Sequence, residues 1–184
     1  MLKMTLRNEL DNFYQLNNIP ENGGEDHTSF EVPLPFFNLT LPNFSWRRKM
    51  IHIHDIEHVL NKQDTTWRGE VFIASWEIAT GYLRYFPVFI FPLWAMGFGL
   101  WKHPCAIMNG FFKGLNDVGV AALYRSKEQL LDTTLEELRR LTENKRTLLS
   151  PSQKWSRFLV AVLLSQLTFL SPLLIVVMAL CLVL

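Results

Sequence analysis

A chain of 184 residues accommodates one domain of ordinary size plus a tail. Its 18 Lys+Arg against 17 Asp+Glu leave a net charge of +1, so no overall field recruits nucleic acid or acidic partners. The 49% hydrophobic and 13% aromatic content excludes a disordered chain, and two cysteines without ladder spacing, Cys105 and Cys181, argue against a disulfide framework or a Cys-based zinc site.

The N-terminal MLKMTLRNELDNFYQLNN lacks the apolar run of a secretory signal, and Glu9 and Asp11 do not suit an acid-poor transit peptide. The sequons at Asn38 and Asn43 are accordingly read as chance. Residues 1–26 read as polar and end in the turn-rich Glu21-Asn22-Gly23-Gly24-Glu25-Asp26. Pro33, Pro35 and Pro42 then punctuate a Phe- and Leu-containing stretch over 30–45, which predicts an extended apolar arm.

From Lys49 the pattern turns helical. Ile51, Asp55, His58 and Val59 follow i, i+4, i+7, i+8 spacing, Asn61–Thr66 reads as a turn, and Asp64, Thr65 or Thr66 caps a second helix that Gly81 ends. Tyr85–Trp101 contains 17 uncharged residues interrupted by Pro87, Pro92, Gly97 and Gly99, with basic residues on both sides. A segment in the membrane interface or lining an apolar pocket suits it better than a span. Cys105–Tyr124 reads as partly helical. Ser126-Lys127-Glu128-Gln129 and Thr134-Leu135-Glu136-Glu137 fit capping boxes opening two short helices, the second reaching Thr142. No strand-like alternation of useful length stands out, so the expected class is all-α.

The C-terminal end carries the strongest signal. Every charged side chain lies at or before Arg157, and the 27 residues Phe158–Leu184 carry none. As a helix they would extend about 40 Å against about 30 Å of hydrocarbon, enough for one crossing, tilted or kinked at Pro172. Ser165 and Gln166 are its polar members, suited to pairing with another helix. Lys145, Arg146, Lys154 and Arg157 precede it and place the globular part on the cytoplasmic or matrix side. The expected segments are an N-terminal segment and arm (1–49), a helical domain (50–150) and a transmembrane anchor (155–184).

The chemistry concentrates in HIHDIEHVLNKQDTTWRGE, residues 52–70. With His54 at 0° on a helix, Asp55 falls at about 100° and His58 at about 40°, one arc from which three side chains converge. Two histidines at i, i+4 are a chelating pair, Asp55 is an oxygen donor or fixes a histidine tautomer, and Glu70 at the start of the returning helix supplies a fourth ligand. This set suits Zn²⁺, Fe²⁺ or Mn²⁺ better than Ca²⁺. A zincin would need Glu where Asp55 stands, and His52 is too near His54 for the upstream histidine of an HD-type phosphohydrolase. A solvated polar helix face is the competing reading.

His54-Asp55-x-x-His58 followed after eleven residues by Glu70 resembles the signature of the COQ-four family of ubiquinone (coenzyme Q) biosynthesis proteins. HDIEHVL with Gly69-Glu70, GFFKGLND and LLDTTLEELRRL extend the likeness over about residues 50–142. The resemblance implies a helical protein holding a divalent metal, usually zinc, at His54, Asp55, His58 and Glu70. It implies binding of a prenylated quinone precursor at the membrane and a link to decarboxylation and hydroxylation at C1 of that precursor. Association with other quinone-biosynthesis enzymes is implied too, and a homo-oligomer is compatible with it. A metal-dependent lyase or oxidative decarboxylase and a non-catalytic prenyl-lipid scaffold with a structural metal both fit. The anchor and the 30–45 arm depart from the family core. In the lipid-binding reading, Tyr85–Trp101 and Phe111-Phe112 cover an apolar groove, with core packing as the alternative.

Overall fold

A computed structural model describes residues 4–34, 36–123, 126–143 and 149–183. Pro35, Lys145 and Arg146, named above, lie outside the described residues. The fold is mostly helical, as the sequence predicts, and the described residues add one two-stranded sheet. Contacts divide the chain into two compact units, residues 1–62 with 120–141, and residues 63–119 with 142–184. These units do not follow the sequence segments 1–49, 50–150 and 155–184.

The first unit opens with α1 (Leu6–Leu16), where a polar segment was expected. Leu6, Leu10, Phe13 and Tyr14 recur at i, i+4, i+7 and i+8, and all four are buried. The amide of Leu6 donates to Thr133 O at 2.7 Å, so the start of the helix is tied to the C-terminal part of the unit. A 3-10 turn over Glu21–Gly24 occupies the predicted boundary, with Asn22, Gly23 and Gly24 all at positive φ. The expected extended arm is a β-hairpin. β1 (Ser29–Pro33) pairs antiparallel with β2 (Asn38–Pro42), Phe30 opposite Leu41 and Val32 opposite Leu39. Five-residue alternation, with Phe30, Val32, Leu39 and Leu41 on the more buried face, was therefore present in the sequence. The terminal prolines close the strands, where a missing N–H costs least.

α2 (Ser45–Arg48) leads into α3 (Ile51–Asn61), which Lys62 ends in the left-handed conformation. Arg47 lies over the Phe30 ring, 3.6 Å from its centroid, and donates to Asn43 Oδ1 at 2.9 Å, so it braces the hairpin. α7 (Lys127–Leu131) and α8 (Leu135–Thr142) start as predicted. Ser126 Oγ accepts from the Gln129 amide and Thr134 Oγ1 from the Glu137 amide, each at 3.2 Å.

The second unit is built on α4 (Trp67–Thr80). Its apolar residues are distributed all round the helix, and Val71, Ile73, Ala74, Trp76 and Ile78 are buried, so it forms a central element. Asp64 shapes the turn before it, its Oδ1 accepting from the Thr66 amide at 3.1 Å and the Thr66 hydroxyl at 2.6 Å. Gly81, φ 101°, ends it as predicted. α5 (Ile90–Gly99) and α6 (Pro104–Gly114) pack on α4, and α9 (Pro151–Val183) packs on α5 and α6. A Cβ on Gly110 would stand 2.2 Å from Phe72 O, so α6 approaches α4 to backbone distance only because that position is glycine.

Phe111, 2% exposed, packs in the core with Phe158, and Phe112 meets Trp155 and Phe158. These phenylalanines are core contacts within the unit, which favours the packing alternative over groove cover. α9 is long and apolar enough to cross a membrane, with Pro172 inside it.

The Trp76 indole, buried completely, donates to Asp117 Oδ2 at 2.7 Å, and Lys113 pairs with the same oxygen. Asp117→Ala orphans the indole N–H and is expected to cost about 1–3 kcal/mol. Lys113→Met keeps the indole bond but leaves the buried Asp117 carboxylate without its cation, and is expected to cost about 1–3 kcal/mol as well. Thermal unfolding of both variants in detergent checks both losses.

Candidate metal centre on α3

Eleven residues of α3 carry His52, Asp55, Glu57 and His58 in buried positions, at 7%, 8%, 0% and 1% exposure. The face is therefore not a solvated polar one. An ionisable group out of water needs a partner or the neutral state, so each of these side chains constrains what surrounds it.

His54 and His58 face one point. Their Nε2 atoms are 3.3 Å apart and their rings meet edge-on with centroids at 4.9 Å. Two imidazole nitrogens on one tetrahedral zinc, each about 2.0–2.1 Å from the ion, would stand about 3.3–3.4 Å apart. The separation fits a shared metal, and it equally fits a hydrogen bond between the two imidazoles. Phe13 of α1 packs against His58 with ring centroids 5.7 Å apart and so fixes that ring from the first helix.

Asp55 turns toward α1. Its Oδ2 accepts from the Tyr14 hydroxyl at 2.9 Å, a buried bond spanning 41 residues of sequence. Gly23 closes over the pair. A Cβ there would lie 2.6 Å from Asp55 Oδ2 and 3.0 Å from the Tyr14 hydroxyl, and the backbone φ of 66° itself favours glycine. Burial, reinforced by the charge of Asp55, holds the Tyr14 phenol protonated well above its ordinary range.

Glu70, the fourth residue of the motif, lies in the first turn of α4, in the second unit. The structure thus brings His54 and His58 together, gives Asp55 a tyrosine partner, and carries Glu70 on the next helix. Asp64 is a turn-forming side chain, and Glu57 is fully enclosed.

His52 points away from the pair into a small cleft lined by Arg7, Leu10, Asp11, Tyr14, Asn22, Lys127 and Leu131. Burial first, and then the charge of Lys127, lower its pKa to about 4. It is a neutral imidazole at physiological pH.

Tyr14 is the site residue that sequence reading missed. Its signal was the apolar spacing of α1, which marks Phe13 and Tyr14 as inward-facing. No family model matches the chain, and no curated protein or solved structure matches it.

Tyr14→Phe leaves a buried carboxylate short of a donor and is expected to destabilise the fold by about 1–3 kcal/mol. Because the phenol's pKa is raised on folding from 10.0, the unfolded chain loses this proton first. The stabilisation is complete below about pH 10 and falls as pH rises above it. Chemical unfolding between pH 8 and 11 should show a shallower alkaline decline for Tyr14→Phe than for wild type.

Proposed function

We propose that the chain is a membrane-anchored, metal-dependent protein that acts on a prenylated aromatic acid of quinone biosynthesis, at the C1 carboxyl. The converging imidazoles of His54 and His58 carry the reading. Motif spacing adds Asp55 and Glu70 to the proposed ligand set, with Zn²⁺ the favoured ion and Fe²⁺ or Mn²⁺ as alternatives. The resemblance of His54-Asp55-x-x-His58 and Glu70 to the COQ-four signature supplies the substrate class.

A divalent ion held there supplies a Lewis acid for a carboxylate or phenolate oxygen. The chain's own contributions are mechanical and electrostatic. Phe13 and the helical backbone hold the His58 ring, and the Tyr14 hydroxyl holds the Asp55 carboxylate in one orientation. α9 keeps the chain at the bilayer, where a polyprenyl tail need not enter water at about 0.8 kcal/mol per CH₂. Lys154 and Arg157 before its apolar run favour a cytoplasmic or matrix location for the globular part. Other quinone-biosynthesis enzymes and a second copy of the chain are the proposed protein partners.

The near-complete burial of His58 favours a second reading, in which the metal is structural and the chain is a prenyl-lipid scaffold for partner enzymes. One experiment separates the two. Reconstituted wild type and His58→Ala are incubated with a prenylated hydroxybenzoic acid, and carbon dioxide release is followed beside circular dichroism. The enzyme reading expects turnover in wild type and a folded, inactive variant. Absence of turnover in metal-replete wild type, with unfolding of the variant, supports the scaffold.

A further inference from the structure

The aromatic stretch between Arg84 and Lys102 carries no charge, yet its helix α5 spans only ten residues, about 15 Å, half the thickness of the hydrocarbon layer. What fixes its environment is the place where it meets α9. A Cβ on Gly97 would lie 2.4 Å from Ser165 O and 2.7 Å from Phe169 Cβ, so the two helices touch at backbone distance there. Trp94 and Phe98 both pack edge-on against Phe169, at 5.7 and 6.0 Å. Ser165 and Phe169 follow Arg157, the last charged residue, by about 12 and 18 Å along a helix axis.

At this level the uncovered face of α9 is apolar. Leu159, Val160, Leu163 and Leu167 are 51–62% exposed. These four side chains, spread over three turns, form an apolar surface of the kind that hydrocarbon covers, and α5 is packed on the same helix. α5 continues the surface, with Phe86 and Ile90 exposed. Trp101 and Trp155, both exposed, stand beside Lys102 and Lys154, the arrangement of aromatic residues at a membrane–water boundary.

The backbone is prepared for such a medium. In hydrocarbon every peptide group needs an internal partner. Ahead of α5, the amides of Phe89, Ile90 and Phe91 donate to Tyr85 O, Pro87 O and Val88 O. At its C-terminal end, where helices leave carbonyls unsatisfied, Gly99 O accepts from the Lys102 and His103 amides. Gly97 O accepts from Gln166 Nε2 of α9 at 2.8 Å. Gln166, an isolated amide in an apolar helix, thereby caps its neighbour.

We infer that α5 is a membrane-embedded segment that enters the hydrocarbon alongside α9 and returns to the same side without crossing. This rests on the reading of α9 as a membrane span. Arg84 and Lys102 then share one aqueous face, which removes the conflict that basic residues on both sides of a crossing would create.

The full chain in phosphatidylcholine vesicles, with Cys105→Ser and Cys181→Ser, provides the test. Ile90→Cys, Ala95→Cys and Leu163→Cys are each labelled with an environment-sensitive fluorophore and exposed to lipids carrying a nitroxide on the acyl chain. Separately, the double variant Arg84→Cys/Lys102→Cys is treated from outside with an impermeant maleimide and its adducts are counted by mass. Quenching at all three positions, with either two adducts or none on each chain, is the expected result. One adduct per chain means that α5 crosses and overturns the inference. Quenching at Leu163→Cys alone also overturns it and leaves the anchor intact, whereas no quenching at Leu163→Cys overturns the anchor and the inference together.

Discussion

Four ionisable side chains buried on a helix of eleven residues set the terms for the first unit. Removing such groups from water costs several kcal/mol each unless a partner or a shift to the neutral form compensates. The unit meets that demand locally. Tyr14 reaches Asp55 from α1, Gly23 leaves room for their bond, and His52 is held neutral by burial near Lys127. Of the other two, Glu57 is fully enclosed, and His58 is brought nitrogen to nitrogen with the half-buried His54 at a spacing that a metal ion would bridge. Clusters of buried ionisable groups of this kind occur both at functional sites and in structural ion-pair networks.

The second unit carries a helix long and apolar enough to cross a membrane. α4 is covered by α5 and α6, and α9 lies against α5 with its outward leucines and valines uncovered. The close contacts here depend on small residues and on a side-chain amide, Gly97 with Ser165 and Gln166. In water such contacts would be weak competitors with solvent. In hydrocarbon, packing and internal hydrogen bonds are the forces available between helices.

Much of this was legible in the sequence because local rules decided it. The Ser126 and Thr134 caps, the Gly81 terminus, the helical face shared by His54 and His58, and the uncharged run after Arg157 each follow from spacing within a few residues. What escaped depended on distant partners. The polar composition of residues 1–26 hid the apolar spacing of Leu6, Leu10, Phe13 and Tyr14, and only contact with α3 makes Tyr14 a partner of Asp55. The prolines of the 30–45 stretch masked a hairpin whose alternation is only five residues long per strand. Glu57 has no specific spacing signal of its own, and only tertiary packing encloses it. Gln166 was recognisable as a helix-pairing residue, but its acceptor, a backbone carbonyl at Gly97, carries no side-chain signature.

The central claim is that α3 holds a metal through His54 and His58. Elemental analysis of detergent-purified protein, prepared without chelators, tests it most directly when His54→Ala, His58→Ala and Glu70→Ala are measured in parallel. The account predicts about one transition-metal ion per chain in wild type, with loss from both histidine variants; retention in Glu70→Ala alone would remove only that residue from the ligand set. Metal-free wild type, or metal retained after both histidine substitutions, would contradict it.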